Sequence, residues 1–193
     1  MAGEGRLPAS LLLWISFFLG LLILYLLLNW LPTLMIGRGM SSSGAAAAQI
    51  AFNAGGAVAA AFLGRFLDGP HRLPAVGITV IAMPLLVWLL AGTEAQGAFI
   101  VVIVLLLGCA ILALQAFLNS TAPMIYPAVV RGLGVGVAVA MGRLGSVVGP
   151  KLGGTWKAMG LSTSQLLYKL LPIVVLAGVA SLLLAWVADR RRE

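Results

Sequence analysis

Several apolar runs of about 18–25 residues restrict this chain more than any other feature of its sequence. An α-helix rises ~1.5 Å per residue, so a run of ~20 residues crosses the ~30 Å hydrocarbon core of a bilayer. Strands of a membrane barrel would instead alternate apolar and polar residues, which these runs do not do. With 62% of the chain hydrophobic and 9% charged, the expected fold is an all-α integral membrane protein. Its six transmembrane helices are predicted at about 10–36, 43–66, 74–90, 98–119, 131–154 and 165–188, in a single domain over 1–193. The first run is too long for a signal peptide and reads as a retained helix.

Composition excludes several classes of function. The excess of basic residues lies between and beyond the spans, so it points to neither nucleic acid nor an acidic substrate. Cys109 is the single cysteine and sits within a span, which rules out an internal disulfide. The sequence offers no Ser/His/Asp set, no cluster of metal ligands and no carboxylate pair, so neither an enzyme nor a metal or other cofactor is expected. His71, the single histidine, falls in a loop and reads as solvated. Lys and Arg set the orientation. Arg6, Arg65, Arg72, Arg131 and the terminal Arg190, Arg191 and Arg192 fall on one side, against Arg38, Lys151, Lys157 and Lys169 on the other. That bias, with six spans, puts both termini in the cytoplasm.

The fifth run, Arg131 to Gly154, carries one internal charge, Arg143. It lies roughly 18 Å along the helix from Arg131, well inside the apolar slab. An arginine there costs at least ~2.5–3.5 kcal/mol on insertion scales, so it should face a protein interior or a wet cavity and have an anionic partner. The spans contain no Asp or Glu. The partner must then be a ligand or another polypeptide, unless the guanidinium only bonds backbone carbonyls. In the same run Gly145, Gly149 and Gly153 repeat every fourth position, as do Gly134, Ala138 and Gly142. This spacing lets two helices approach closely in lipid. Pro150 should bend or loosen the helix. Gly132-x-Gly134-x-Gly136 follows no strand and is not read as a dinucleotide loop.

The remaining polar residues form stripes. Tyr25, Asn29 and Thr33 share a face of the first helix. Gln49 and Asn53 share one on the second, followed by Gly56 and Ala60, and Gln115 and Asn119 sit at i, i+4 on the fourth. The third and sixth helices carry almost nothing polar. Polar groups within lipid must find partners. The economical arrangement therefore sets helices one, two, four and five around a cavity or interface, with three and six facing lipid. Each amide taken singly is equally compatible with a bond to a neighbouring helix.

Asn29-Trp30-Leu31-Pro32-Thr33 resembles the start of the second half of a major facilitator superfamily transporter. Tyr126-Pro127-x-x-x-Arg131-x-x-Gly134-x-Gly136, continuing to Gly142-Arg143-Leu144-Gly145-Ser146-x-x-Gly149-Pro150, is similar to that half's penultimate helix. The closest branch is the aromatic acid:proton symporters, which carry benzoate- and hydroxybenzoate-like anions. The segment Gly64 to Arg72 resembles the superfamily's cytoplasmic signature, Gly-x-x-x-Asp-Arg-x-Gly-Arg, through Gly64, Asp68 and Arg72, but is shorter after Asp68.

This resemblance implies the C-terminal six-helix half of a carrier whose site lies between two halves near the midplane. It implies that Arg143 pairs with a small aromatic carboxylate or with an acid of the other half. Asn29, Trp30, Gln49, Asn53, Gln115 and Asn119 would line the site, the amides bonding ring substituents and the indole stacking. Gly64, Asp68 and Arg72 would form the gating loop. The implied partners are the lipid bilayer, an aromatic acid with a proton, and an N-terminal half or a second copy of this chain, in the bacterial inner membrane. Met1 stands where the family has its central cytoplasmic loop. Proton symport falls to the missing or separate half, because the family's acidic residues lie in its first helix. Alternating access would rock the halves along the small faces of the second and fifth helices, while the third and sixth stay outside. The alternatives are a truncated or non-transporting membrane subunit that only packs against a partner, and a structural or assembly subunit.

Overall fold

The computed structural model describes residues 7–59, 72–93 and 97–190. Six helices follow one another: α1 (Leu7–Ile36), α2 (Ser42–Val58), α3 (Arg72–Gly92), α4 (Ala98–Ile125), α5 (Arg131–Ala158) and α6 (Thr163–Asp189). All but α2 are long and apolar enough to cross a membrane. The described part of α2 has 17 residues, and its predicted continuation over 60–66 lies outside the described residues.

Local chemistry fixes where the helices begin and end. Ser41 is extended and its hydroxyl accepts from the Gly44 N–H, capping α2. Ser162 and Gln165 form a reciprocal capping box that starts α6. Gly39 (φ 84°) and Gly160 (φ 76°) take the left-handed conformation that reverses the chain after α1 and α5. α4 runs on to Ile125, past its predicted end at 119, with Pro123 inside it. A proline removes one helical N–H without forbidding the helix. The Ser120 and Thr121 hydroxyls also fold back onto the Phe117 carbonyl, at 3.1 and 2.6 Å, so their polar atoms are satisfied within the span.

α1 and α4 form the middle of the bundle and touch each other. α2 packs on α4 and α1 from one side, α5 on α1 and α4 from the other, and α2 and α5 do not touch among the described residues. α3 and α6 pair behind, against α4 and α1. The core they enclose is apolar, built from residues such as Leu13, Ile23, Leu27, Phe52, Phe117 and Leu170, all fully or almost fully buried. Burying side chains of this size contributes about 1.5–3 kcal/mol each in water-based bookkeeping. In lipid the driving force between helices is close packing instead.

That close packing uses the small residues. Gly145 and Gly149 of α5 lie directly on the α1 backbone, where an added Cβ would run into the Phe18 and Leu22 carbonyls. Gly142 faces Phe17 and Leu21, and Gly153 faces the Trp30 ring. Gly134 is covered by the Tyr126 ring, and Ala138 is fully buried. On the other side, Gly55 of α2 and Gly108 of α4 bring those two backbones together, and Gly56 packs on Leu112. The predicted use of these stripes is thereby corrected. They do not face a second bundle. The described ones are consumed inside this one, α5 against α1 and Tyr126, and Gly56 of α2 against α4, while Ala60 lies outside the described residues.

α3 and α6 turn their remaining surface outward as bulky apolar side chains: Ile78, Ile81, Leu85 and Trp88 on α3, Leu176, Leu183 and Trp186 on α6. This agrees with the lipid-facing role expected for them. Arg190 stacks on Trp186 at 3.8 Å, at the end of α6.

Candidate functional site

The predicted polar site residues that the structure describes lie on α1, α2, α4 and α5. Arg143 is exposed midway along α5. No hydrogen bond or ion pair to its guanidinium occurs among the described residues. The Arg143 carbonyl accepts from the Ser146 hydroxyl at 2.7 Å, which steadies the turn that presents the side chain. Gly132, Gly136, Ala140 and Val147 are exposed on the same side of α5. A Cβ added at Gly132 or Gly136 would meet nothing within 4 Å. α5 thus has a second face of mostly small residues, uncovered, with the arginine in it. α2 has a counterpart in Ala46, Ile50, Asn53 and Ala57, all exposed.

The amides divide into two groups. Asn29 and Asn53 are exposed and fold back on their own helices, Nδ2 donating to the Tyr25 carbonyl at 2.8 Å and to the Gln49 carbonyl at 2.9 Å. Asn119 is exposed. These three leave polar atoms accessible on the surface. Gln115 is buried, 7% exposed, with its Nε2 against Gly20 of α1 and no hydrogen-bond partner. Gln49 is half-buried, and its Oε1 also lacks a partner. A buried amide without a partner costs about 1–3 kcal/mol. Gln49 and Gln115 therefore hold unused bonding capacity inside the bundle. No hydrogen bond joins any of these predicted side chains to another among the described residues, so the site is a set of separate polar groups and not a closed network.

Trp30 departs from its expected role. Its indole Nε1 donates to the Pro150 carbonyl at 3.0 Å, and its ring lies against Gly153 and Gly154. Both ends of the side chain are occupied by α5, so it is not an open stacking platform. Gly64 and Asp68 lie outside the described residues, as does His71, and Arg72 opens α3.

Two groups escaped sequence reasoning. Arg38, counted only as a loop charge, is half-buried. It donates to the Ala91 carbonyl at 3.1 Å, to the Thr93 carbonyl and to the Ser164 hydroxyl at 3.4 Å. Burial pushes its pKa below the usual arginine value, with Tyr168 opposing the shift. It binds the α1–α2 turn to the end of α3 and the start of α6. A cation next to the final carbonyls of a helix is favourably placed. Tyr126, which the sequence offers only as the start of the motif leading into α5, is buried over Gly134 with its hydroxyl unpartnered. The Arg-Gly-Met-Ser turn after α1 and the Tyr-Pro pair before α5 were the available signals for these two.

A groove of about 640 Å³ lies elsewhere, between α3 and α4, walled by apolar residues including Ile78, Leu85, Leu106 and Cys109. Its one hydroxyl, Thr79, is bonded to the Ala75 carbonyl. It belongs to the apolar back of the bundle and offers nothing to an anion. No group of three or more His, Cys, Asp or Glu occurs that would hold a metal ion among the described residues.

The chain is similar to known carriers over most of its length. It is 35% identical over 91% of its residues to the 3-(3-hydroxy-phenyl)propionate transporter of Escherichia coli (strain K12), covering 43% of that protein. It is 34% identical over 90% of its residues to the 4-hydroxybenzoate transporter PcaK of Pseudomonas aeruginosa, covering 39% of it. To the gallate transporter of Pseudomonas putida it is 33% identical over 90%, covering 38%. The chain thus spans about two-fifths of the length of the curated relatives it matches. Those relatives are transporters, not enzymes, and each is named for an aromatic acid. The family model for the Major Facilitator Superfamily matches residues 3–150. This match, with the helical membrane fold, places the chain in the Major Facilitator Superfamily.

Proposed function

We propose that the chain is one six-span half of a secondary carrier for a small aromatic carboxylate, working by alternating access in the bacterial inner membrane with both termini in the cytoplasm. The carrying observation is Arg143: a guanidinium at mid-span, exposed on an uncovered face, with no ion pair among the described residues. A carboxylate meets a guanidinium best through two parallel N–H···O bonds, which are strong in a site shielded from water. Asn29, Asn53 and Asn119 present amide groups on the same side for ring hydroxyls, and Gln49 and Gln115 supply unspent capacity behind them. The relatives' aromatic acids supply the substrate class.

The second half comes from an N-terminal bundle or a second copy of this chain. The uncovered small faces, Gly132, Gly136 and Ala140 on α5 and Ala46 and Ala57 on α2, suit that contact, because small residues admit close helix approach in lipid. Proton symport belongs to that second half, since the only Asp or Glu in the described spans is Asp189, at the very end of α6. Gly64, Asp68 and Arg72 form the cytoplasmic gating loop.

A second reading, a subunit that packs against a partner without transporting, is favoured by one observation: Trp30 and Gln115 are engaged or buried within the bundle. Uptake of labelled 4-hydroxybenzoate separates the two readings. Cells making this chain together with a carrier's first half should accumulate the acid, and Arg143→Lys should abolish most of that uptake. Accumulation that is absent in every pairing leaves the non-transporting reading, and accumulation unchanged by Arg143→Lys would mean that Arg143 is structural and does not hold the carboxylate.

A further inference from the structure

α1 and α5 each contain a proline, Pro32 and Pro150, and each proline removes a helical N–H. The Leu28 and Ser146 carbonyls therefore lose their usual donors, and both helices are weakened there. The two weak points are neighbours. Gly149 sits on the α1 backbone at Leu22 and Leu26, and Gly153 on the Trp30 ring. Trp30 bridges them, with Nε1 on the Pro150 carbonyl at 3.0 Å and its ring 2.5 Å from the position of a Gly153 Cβ.

The end of α1 is itself anchored. The Thr163 hydroxyl of α6 donates to the Leu34 carbonyl at 3.2 Å, and Arg38 ties the following turn to α3 and α6. α5 has little contact with α6. Beyond Pro150 it exposes Lys151, Thr155, Lys157 and Ala158.

We propose that Trp30 is a positioning strut. It holds the segment of α5 beyond Pro150 against the anchored end of α1, and so sets how far the bundle opens at that end. When the indole N–H lets go of the Pro150 carbonyl, the last turns of α5 tilt about the proline, while the part bearing Arg143 stays packed on α1 through Gly142, Gly145 and Gly149. A tilt of ~20°, the size of an ordinary kink, swings the tip of an ~12 Å segment by about 4 Å. The strut would act on access to the anion site of the carrier reading and rests on that reading for its purpose. Its test reads helix position and not uptake, so the two stand or fall separately.

The experiment is a spin-label distance measurement on the full chain in lipid nanodiscs, with Cys109→Ser. One pair of labels goes on Ile36→Cys and Lys157→Cys, at the exposed ends of α1 and α5. A control pair goes on Ile81→Cys and Leu176→Cys, across α3 and α6. Trp30→Phe keeps a ring against Gly153 but has no N–H to donate. It should lengthen or broaden the first distance by about 4 Å, the same ~20° tilt, and leave the control pair unchanged. Adding Pro150→Ala, which restores the helical N–H, should bring the first distance back towards its original value. An unchanged first distance in Trp30→Phe overturns the proposal. So does equal broadening of the control pair, which would mean general loosening, or a double variant as broad as Trp30→Phe alone.

Discussion

α5 carries small residues on two faces, and the two meet opposite surroundings. On one, Gly142, Gly145 and Gly149 lie on the α1 backbone or side chains with no room for a Cβ. On the other, Gly132 and Gly136 face open space, beside the exposed Arg143. Small-residue spacing thus marks where backbones come close, but it does not say whether the neighbour belongs to the same bundle or to another one. The crowded face explains how α5 packs on α1 mainly through backbone approach, with the Trp30–Pro150 hydrogen bond as a polar link between them. The open face is where a second bundle and a ligand have room.

The sharpest break in the comparison comes from adding bulk to each face. Gly145→Leu should strongly destabilise the bundle, at the upper end of the ~1–3 kcal/mol typical of overpacking or beyond it, because the atom it meets is backbone. Gly136→Leu should leave the stability of the chain alone within ~0.5 kcal/mol while blocking assembly with a first half. Resistance to thermal aggregation in detergent and co-purification with a tagged first half check the two. Equal effects of the two substitutions would erase the distinction between the faces.

Smaller effects sharpen the account. Arg38→Ala should lower thermal stability by about 1–2 kcal/mol, the net of charge-assisted bonds partly replaced by water, and should raise proteolysis in the turn after α1. Arg143→Lys should reduce uptake by about tenfold or more, as a fork geometry is exchanged for a point charge, with no change in melting. Gln115→Leu should have the smallest effect on the isolated chain, neutral or stabilising within ~1 kcal/mol, since a buried donor without a partner is removed. A large loss of stability in that variant would show that Gln115 already has a partner.

Much of this was legible in the sequence because spanning helices are defined by length and hydropathy, which need no neighbour to be read. The apolar outer surface of the α3–α6 pair was legible too, from the near absence of polar residues in those two runs. What each helix touches was not. An end to α4 at 119 would leave the Ser120 and Thr121 hydroxyls to a loop, and they bond the Phe117 carbonyl within the continuing helix instead. Trp30 carries the same indole whether it stacks on a ring or donates to a carbonyl 120 residues away. Arg38 carries the same charge in a solvated turn and in a clamp across three segments. In each case the deciding term is a long-range packing choice, invisible to local pattern.

The central claim, that Arg143 faces a wet site for an aromatic carboxylate and not lipid, is tested most directly beside it. Val147 is exposed one turn along α5, 69% accessible. In a Cys109→Ser background paired with a first half, Val147→Cys should react with a charged, water-borne thiosulfonate. 4-Hydroxybenzoate should slow that reaction when residue 143 is arginine but not when it is lysine. A cysteine there that reacts only with lipid-soluble reagents, or that the acid protects equally in both backgrounds, would contradict the account.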